Sequence, residues 1–504
     1  MNEFLRQRIG VSRLNEIYAT QVPGAIWQVR YFRDGQPEEY SIKLKPDGSL
    51  LAINHKLAED AAGASLTKDQ AVARAETYLR EEKKLDLSQW SLVESNSDKR
   101  PHRIDHLLTW QQNADLDSVH QAPDSKAPDL GGHAFVRAKV VVLGQEVADY
   151  RQSYYPESHS SDAASYGTYI KIPDEWRRRQ LELTPLRTIF NYILPLLVLG
   201  GLGVTILIIF LKNLRSETAR SVPWKRLSIW ALWGLATFYV SFLLGNRMAA
   251  ALNAYDTAIP LKTMYGVLGI TALLGGPFNF GLLAVTFGIA WYFAKRAFDG
   301  EDLPAWTGMP ATYYRDALFI GLGGAGAILG LRTLVVTVSQ YWPTAHRAMD
   351  ASFGSNFDAV LPSAAIIAGM VNHSLFFTGM IAVVASFIAG FLRAPWQRAI
   401  IVVLAALAVA GSDWGSPADL FKQWLAKLIL LAAIAFGVRR IMGFNILGGF
   451  LAVALLTLIE QAADLLGQPD HFYRLNGYAV IGAIIVLLVW PLAAWRKSPG
   501  AATL

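Results

Sequence analysis

Long apolar runs make up most of the chain after about Thr188, whereas apolar and polar positions alternate over short stretches before about Leu186. Runs of about 18 or more apolar residues are typical of membrane-spanning helices. The pattern therefore predicts an N-terminal α+β domain over residues 1–186 and an α-helical, polytopic membrane domain over residues 187–504. We count about nine apolar spans, which run approximately from Ile189 to Leu211, Leu227 to Leu244, Met264 to Phe293, Ala317 to Val338, Leu361 to Leu392, Ala399 to Ala410, Leu420 to Val438, Asn445 to Leu466 and Gly477 to Ala494.

Three of these spans have unusual sequences. The third contains Gly275-Gly276-Pro277, which predicts a kinked or broken helix because proline lacks the amide hydrogen of the helical ladder. The sixth, Ala399 to Ala410, is short enough to be a half-span. The fourth contains the glycine-rich run Gly321 to Gly326, which inside an apolar span predicts a close helix-packing face rather than a phosphate loop.

The N-terminal domain is predicted to combine short antiparallel strands with one helix. Turn residues separate the alternating stretches, and Thr67-x-x-Gln70 is a capping box ahead of a helix over about Lys68 to Leu85. The predicted strands are Ile26 to Phe32, Tyr40 to Leu44, Leu50 to Ile53, Trp90 to Glu94, Ile104 to Trp110 and Phe135 to Tyr155, the last folded back at Leu143 to Glu146. This order resembles a PepSY-type module, which implies an interaction or inhibitory role.

Six of the nine histidines lie in this domain, and we predict that they are surface residues. The closest pair, His102 and His106, would share one face of a strand about 13 Å apart, which is too far for one metal ion. Cysteine is absent, which excludes disulfides, thiol catalysis and thiolate metal sites.

Charged loops predict the orientation in the membrane. Cations recur in every second loop and in the C-terminal tail, as at Arg439-Arg440 and Arg496-Lys497, so these are predicted to be cytoplasmic. The N-terminal domain then lies outside a bacterial cytoplasmic membrane, and we expect an N-terminal signal-anchor helix to be missing from this chain. Because much of the net charge of +6 lies in short loops, the basic character indicates no nucleic-acid partner.

A few polar side chains interrupt the apolar spans. Asn372-His373 lies in the fifth span, and His373 is the only histidine inside any span. Ionisable groups at membrane depth are costly and mark candidate functional sites. Arg332 is a second such residue, predicted to pair with Asp413 or Glu460 or to extend to the interface.

Five stretches of the N-terminal region resemble the extracytoplasmic part of a long subgroup of the CPBP family, the CAAX-protease and bacteriocin-processing type of intramembrane metalloprotease. They are Trp27-Gln-Val-Arg-Tyr-Phe-Arg33, Gly63-Ala-Ser-Leu-Thr67, Asp98-Lys-Arg-Pro-His-Arg-Ile-Asp-His106, Gly144-Gln-Glu-Val147 and Lys171-Ile-Pro-Asp-Glu-Trp176. The resemblance implies a CPBP-type helical core and a zinc site built from Glu-Glu-x-x-x-Arg, Phe-x-x-x-His and His-x-x-x-Asn/Asp.

The positions that the resemblance assigns to these motifs lack the required side chains. The first motif falls on Asn372, His373 and Phe377, the second near Gly411, and the third near Val453 and Thr457. A hydrolytic metal site needs about three protein ligands and a carboxylate base. We therefore expect an inactive homologue without cofactor that binds a membrane peptide or partner protein within the lipid bilayer. The alternatives are an active zinc peptidase and a small-solute transporter, the latter suggested by the broken-helix features.

Overall fold

The computed structural model describes residues 26–45, 47–113, 135–153, 169–171, 178, 182, 184–297, 309–339, 356–392, 394–410, 417–437 and 445–497. Contacts divide the chain into two compact units. The first comprises Met1–Thr184, Asn253–Met264 and Arg347–Ala351, and the second comprises the remaining residues.

The first unit contains an eight-stranded antiparallel sheet. Seven strands lie in the order β1-β2-β3-β7-β6-β5-β4, and β8 pairs with β6. The strands are β1 (Trp27–Phe32), β2 (Glu39–Leu44), β3 (Leu50–Lys56), β4 (Trp90–Lys99), β5 (Ile104–Gln112), β6 (Phe135–Leu143), β7 (Glu146–Ser153) and β8 (Tyr169–Lys171). All the predicted strands are present within a few residues, because alternation and turn chemistry are local signals. The likeness to a PepSY module stays a prediction.

Helix α1 (Lys68–Glu81) covers the part of the sheet formed by β5, β6 and β7. The predicted capping box is confirmed: Gln70 N donates to Thr67 Oγ1 at 3.4 Å, and Thr67 N donates to Gln70 Oε1 at 2.9 Å. The apolar face of the helix packs on buried strand residues; this core contains Ala75, Leu79, Leu108, Trp110, Ala138, Val140 and Val142.

The segment Asn253–Met264 belongs to the first unit through contacts with the β1 hairpin. Arg30 donates to the main-chain oxygens of Asn253 at 2.8 Å and Tyr255 at 3.1 Å. Asp34 Oδ1 accepts from Tyr255 Oη and from Leu261 N, both at 2.9 Å. The carboxylate of Asp34 thus caps the first residue of a helix, where unpaired amide groups favour a negative charge.

The second unit is helical. The helices are α2 (Pro185–Lys212), α3 (Trp224–Leu244), α4 (Arg247–Ala254), α5 (Leu261–Ala297), α6 (Ala311–Ser339), α7 (Pro362–Phe391), α8 (Pro395–Ala408), α9 (Pro417–Gly437), α10 (Ile446–Leu466) and α11 (His471–Lys497). The end of α4 and the start of α5 are assigned to the first unit. A short helical turn lies at Glu217–Arg220. Among the described residues, seven helices are long and apolar enough to cross a membrane: α2, α3, α5, the Ala311–Leu334 part of α6, α7, α10 and α11. Length and composition are thus consistent with a multi-pass membrane protein.

The two remaining predicted spans correspond to α8 and α9. Helix α8 has 14 residues, or about 21 Å at the helical rise. That is shorter than the roughly 30 Å hydrocarbon core, in line with the expected half-span. The total of nine spans therefore stays a prediction.

The third span was expected to be kinked or broken, and the break is wrong: the 37 residues of α5 form one helix that continues through Pro277. The kink stays a prediction. The preceding glycines serve close packing against α3. A Cβ at Gly275 would lie 2.7 Å from Phe238 Cζ, and one at Gly276 would lie 2.4 Å from Tyr239 Oη. The Gly-Gly-Pro sequence thus allows α5 to approach α3 without ending the helix.

Helix α10 is the most buried of the candidate spans and packs against α6, α7 and α11. Helix α10 runs parallel to α6. Asn445 Nδ2 donates to Tyr313 O at 2.9 Å near the start of both helices, and Leu451 faces Gly321 about two turns later along each helix. A Cβ at Gly321 would lie 2.6 Å from Leu451 Cβ, and one at Gly324 would lie 3.1 Å from Ala452 Cβ. The predicted packing role of this glycine run is confirmed at these two positions.

Candidate functional site

Asn372 joins three apolar helices through side-chain amides. Asn279 Nδ2 on α5 donates to Asn372 Oδ1 on α7 at 3.0 Å and to the main-chain oxygen of Gly234 on α3 at 3.1 Å. Gly234 has no room for a side chain, since a Cβ there would lie 2.1 Å from Leu283 Cδ1. The arrangement provides hydrogen-bond partners for two half-buried amide side chains and joins three spans.

Asn279 and Gly234 were not predicted as site residues. The available signal was a second amide side chain inside an apolar span, Asn279, only two residues after Pro277. Sequence alone does not show that Asn279 and Asn372 face each other, because helix pairing and register depend on the packing of the whole bundle.

His373 points in a different direction from Asn372. Its ring is exposed on the protein surface and packs on the ring of Phe377, with centroids 4.3 Å apart. Among the described residues, no hydrogen bond joins His373 to a neighbouring helix. The reason is geometric: consecutive helical residues differ by about 100° in direction, so Asn372 faces α5 while His373 faces outward.

Arg332 and Glu460 form an ion pair between α6 and α10, through Arg332 Nη1 and Glu460 Oε1. Of the two partners considered for Arg332, the structure therefore selects Glu460; Asp413 lies outside the described residues. The pair is on the outer surface of the helices, with 64% of the Arg332 side chain and 37% of the Glu460 side chain exposed. Both residues lie within helices whose neighbouring side chains are largely apolar.

The remaining motif positions supply no reactive group. Val453 is apolar, and its main-chain oxygen accepts a hydrogen bond from Thr457 Oγ1 at 2.9 Å within α10. The Thr457 hydroxyl is thus occupied by its own helix. Gly411 lies outside the described residues.

These positions do not fit a catalytic zinc ion. Asn372 is hydrogen-bonded to Asn279, and His373 faces outward against Phe377. On α10, Val453 is apolar and the Thr457 hydroxyl is hydrogen-bonded within its own helix. Throughout the described part of the chain, no three His, Asp or Glu side chains are grouped so that they could hold a metal ion.

Two histidines of the sheet unit correct the prediction of surface residues. His55 is 5% exposed, stacks on Tyr40, and places its ring nitrogens 3.1 Å from Glu146 Oε1 and 3.0 Å from Glu38 Oε1. His106 is 2% exposed and lies between Ser97 Oγ and the main-chain oxygen of Leu66. Both rings are buried because hydrogen-bond partners replace water at both nitrogens.

Comparison of the chain with protein-family models, with curated proteins and with solved structures gave no match. The geometry of the helices and of their polar side chains is therefore the basis for the functional proposal.

Proposed function

We propose that the chain is a non-catalytic membrane protein of the CPBP type that binds a membrane-spanning peptide or a segment of a partner protein. It would reside in a bacterial cytoplasmic membrane, with the N-terminal domain outside and the C-terminus in the cytoplasm. The observation that carries the proposal is the exposed ion pair between Arg332 and Glu460.

The position of the pair along its helices makes exposure to lipid unfavourable. Arg332 lies within the apolar part of α6, two residues before the end of that part at Leu334, and Glu460 lies six residues before the end of α10. On insertion scales a charged residue costs about 2.5–3.5 kcal/mol at the centre of a membrane helix. Charged residues within apolar helices normally face protein or water.

Arg332 also has hydrogen-bonding capacity beyond Glu460. A guanidinium group has five N–H donors, and the described residues provide one partner, which contacts Nη1. The exposed donors favour a partner helix that carries a carboxylate or amide oxygen at the same depth. A hydrogen bond to a charged group is stronger than one between neutral groups, so it would hold the partner helix at this position.

Cross-linking can locate the bound segment, because the native chain has no cysteine. A Thr333→Cys variant would be incubated in lipid nanodiscs with a hydrophobic 20-residue peptide carrying one glutamate and an adjacent cysteine. We expect a disulfide with Thr333→Cys and little with Phe278→Cys, a control in α5 where the native side chain is 73% exposed. Equal cross-linking at both positions would contradict a specific site.

The competing functions give different results in two further assays. An active peptidase requires stoichiometric zinc in the purified protein and chelator-sensitive cleavage of a membrane peptide. A transporter requires that Arg332 and Glu460 border a water-filled path, so a cysteine at Thr333 would react with membrane-impermeant thiol reagents when no peptide is bound.

A further inference from the structure

The segment that joins α2 to α3, residues 212–226, is strongly basic, and we call it the α2–α3 connection. It contains five exposed cations and one exposed anion, Glu217, so its formal charge is 5 − 1 = +4. The cations are Lys212, Arg215, Arg220, Lys225 and Arg226. Among the described residues, none of these five side chains has an ion-pair or hydrogen-bond partner. Their charges are therefore available to a ligand.

The backbone of the α2–α3 connection is held in place by the helical unit. At the end of α2, Asn213 Nδ2 donates to the main-chain oxygen of Ile209 at 2.8 Å. Ser216 Oγ then accepts from Ala219 N at 3.2 Å and caps the short helical turn. Ala219 and Val222 are buried in the core of the helical unit. Because the segment is already ordered, binding a ligand costs little conformational entropy.

Both ends of the α2–α3 connection pack against the last turns of α5. At the end of α2, the rings of Phe210 and Tyr292 have centroids 5.4 Å apart. At the start of α3, Trp224 fills the space beside Gly288, where a Cβ would lie 2.3 Å from Trp224 Cη2. Helices α2 and α3 are both apolar enough to cross a membrane. The cations between them therefore lie where the chain leaves and re-enters the hydrocarbon core, at the level of the lipid headgroups.

Two of the cations are placed where they do not stabilise the fold. Lys225 and Arg226 directly follow Trp224, the first residue of α3, and the first turn of this helix contains no acidic residue. The start of a helix favours negative charge, so two cations there are unfavourable for α3 itself. An anion bound next to them would offset this cost.

The side chains around the cations indicate which kind of anion binds. Leu211, Leu214 and Trp224 are exposed in and beside the same segment. A soluble anion would leave these apolar groups in water, whereas a phospholipid covers them with its glycerol and acyl groups. Tryptophan is enriched at this level of membrane proteins. Clusters of roughly four to eight Lys and Arg residues next to a membrane helix are typical of surfaces that bind anionic lipids.

We infer that the α2–α3 connection binds anionic phospholipids of the adjoining leaflet. The lipid phosphates contact the five cations, and Trp224 and the two leucines contact the apolar part of the same lipids. This surface does not involve Arg332 or Glu460, so it acts whether or not a membrane peptide is bound.

Native mass spectrometry of the purified full chain tests the inference. The protein in detergent would be titrated with phosphatidylglycerol or with phosphatidylcholine of identical acyl chains. One Lys or Arg near an anionic surface contributes about a fivefold preference. We therefore expect the native protein to bind phosphatidylglycerol at least about tenfold more tightly than phosphatidylcholine. Equal affinities for the two lipids would overturn the inference.

Matched variants locate the effect on the α2–α3 connection. Lys225→Gln/Arg226→Gln should lose most of the preference for phosphatidylglycerol. The control Arg247→Gln/Lys262→Gln removes the same charge from exposed cations that lie beyond the other end of α3 and at the start of α5, and it should keep the preference. Equal losses in the two double variants would show that net charge alone is responsible and would contradict the surface.

Two further variants separate charge from damage to the fold. Lys225→Arg/Arg226→Lys keeps both charges and should keep the preference for phosphatidylglycerol. Glu217→Gln removes the one anion of the segment and should strengthen the preference about fivefold. A preference that falls in the charge-conserving variant, or that does not rise in Glu217→Gln, would contradict recognition by charge at this surface.

Discussion

The contact between α6 and α10 predicts opposite effects for two neighbouring glycine substitutions. In Gly321→Ala, the new Cβ would lie 2.6 Å from Leu451 Cβ, which is the root of a side chain and cannot move without shifting α10. Overpacking of this kind costs about 1–3 kcal/mol. In Gly323→Ala, the new Cβ meets nothing within 4 Å. The free energy of unfolding of that variant should rise by up to about 1 kcal/mol, because alanine is a better helix former than glycine.

The two variants should therefore differ by about 2 kcal/mol or more in the free energy of unfolding. Steric trapping in bicelles measures this quantity for membrane proteins, and thermal unfolding in detergent gives the same ranking. Gly324→Ala should fall between them, since its Cβ would lie 3.1 Å from Ala452 Cβ. If Gly321→Ala were as stable as Gly323→Ala, the close packing of α6 on α10 would be refuted.

Three further predictions concern individual polar contacts. Asn372→Leu should destabilise the protein by about 0.6–1.7 kcal/mol, the range for hydrogen bonds between membrane helices, and a double-mutant cycle with Asn279→Leu measures their coupling; additive effects would exclude the bond. Asp34→Ala should lower the free energy of unfolding, measured by thermal or chemical denaturation, by about 0.5–2 kcal/mol, because the Leu261 N–H loses its capping carboxylate. An unchanged free energy of unfolding would contradict the cap. Hydrogen bonds from the side chain and main chain of Ser88 hold the pKa of Asp86 below its usual value. Its folded-state pKa is depressed, so its stabilising contribution is present above the unfolded pKa and is lost as the pH falls through the folded pKa. Asp86→Asn should thus be less stable than the native protein near neutral pH, and the difference should disappear in acid.

Local signals in the sequence were sufficient for the positions of most elements. Turn residues and alternation located the strands, and the Thr67 capping box located the start of α1 to the residue. Apolar runs located the helices of the second unit. These features depend on neighbours in sequence, which is why they can be predicted from a single chain.

Features that depend on packing between distant residues were predicted less well. Pro277 was expected to kink or break α5; the helix does not break, and the neighbouring glycines allow close approach of α3. His55 was expected at the surface, yet Glu38 and Glu146, distant in sequence, make its burial favourable. For Arg332, the sequence left three alternatives, which were pairing with Asp413, pairing with Glu460 and extension to the interface; in the structure Arg332 pairs with Glu460.

The affinity of a membrane peptide for the native protein in nanodiscs tests the proposed function most directly. The same hydrophobic peptide would be titrated with either a glutamate or a leucine at mid-sequence. A charge-assisted hydrogen bond to Arg332 contributes about 1.5–3 kcal/mol, so the glutamate peptide should bind at least about tenfold more tightly. In the Arg332→Leu/Glu460→Leu variant, which removes both charges together, this preference should vanish. Equal affinities of the two peptides for the native protein would contradict binding of a membrane segment at this ion pair.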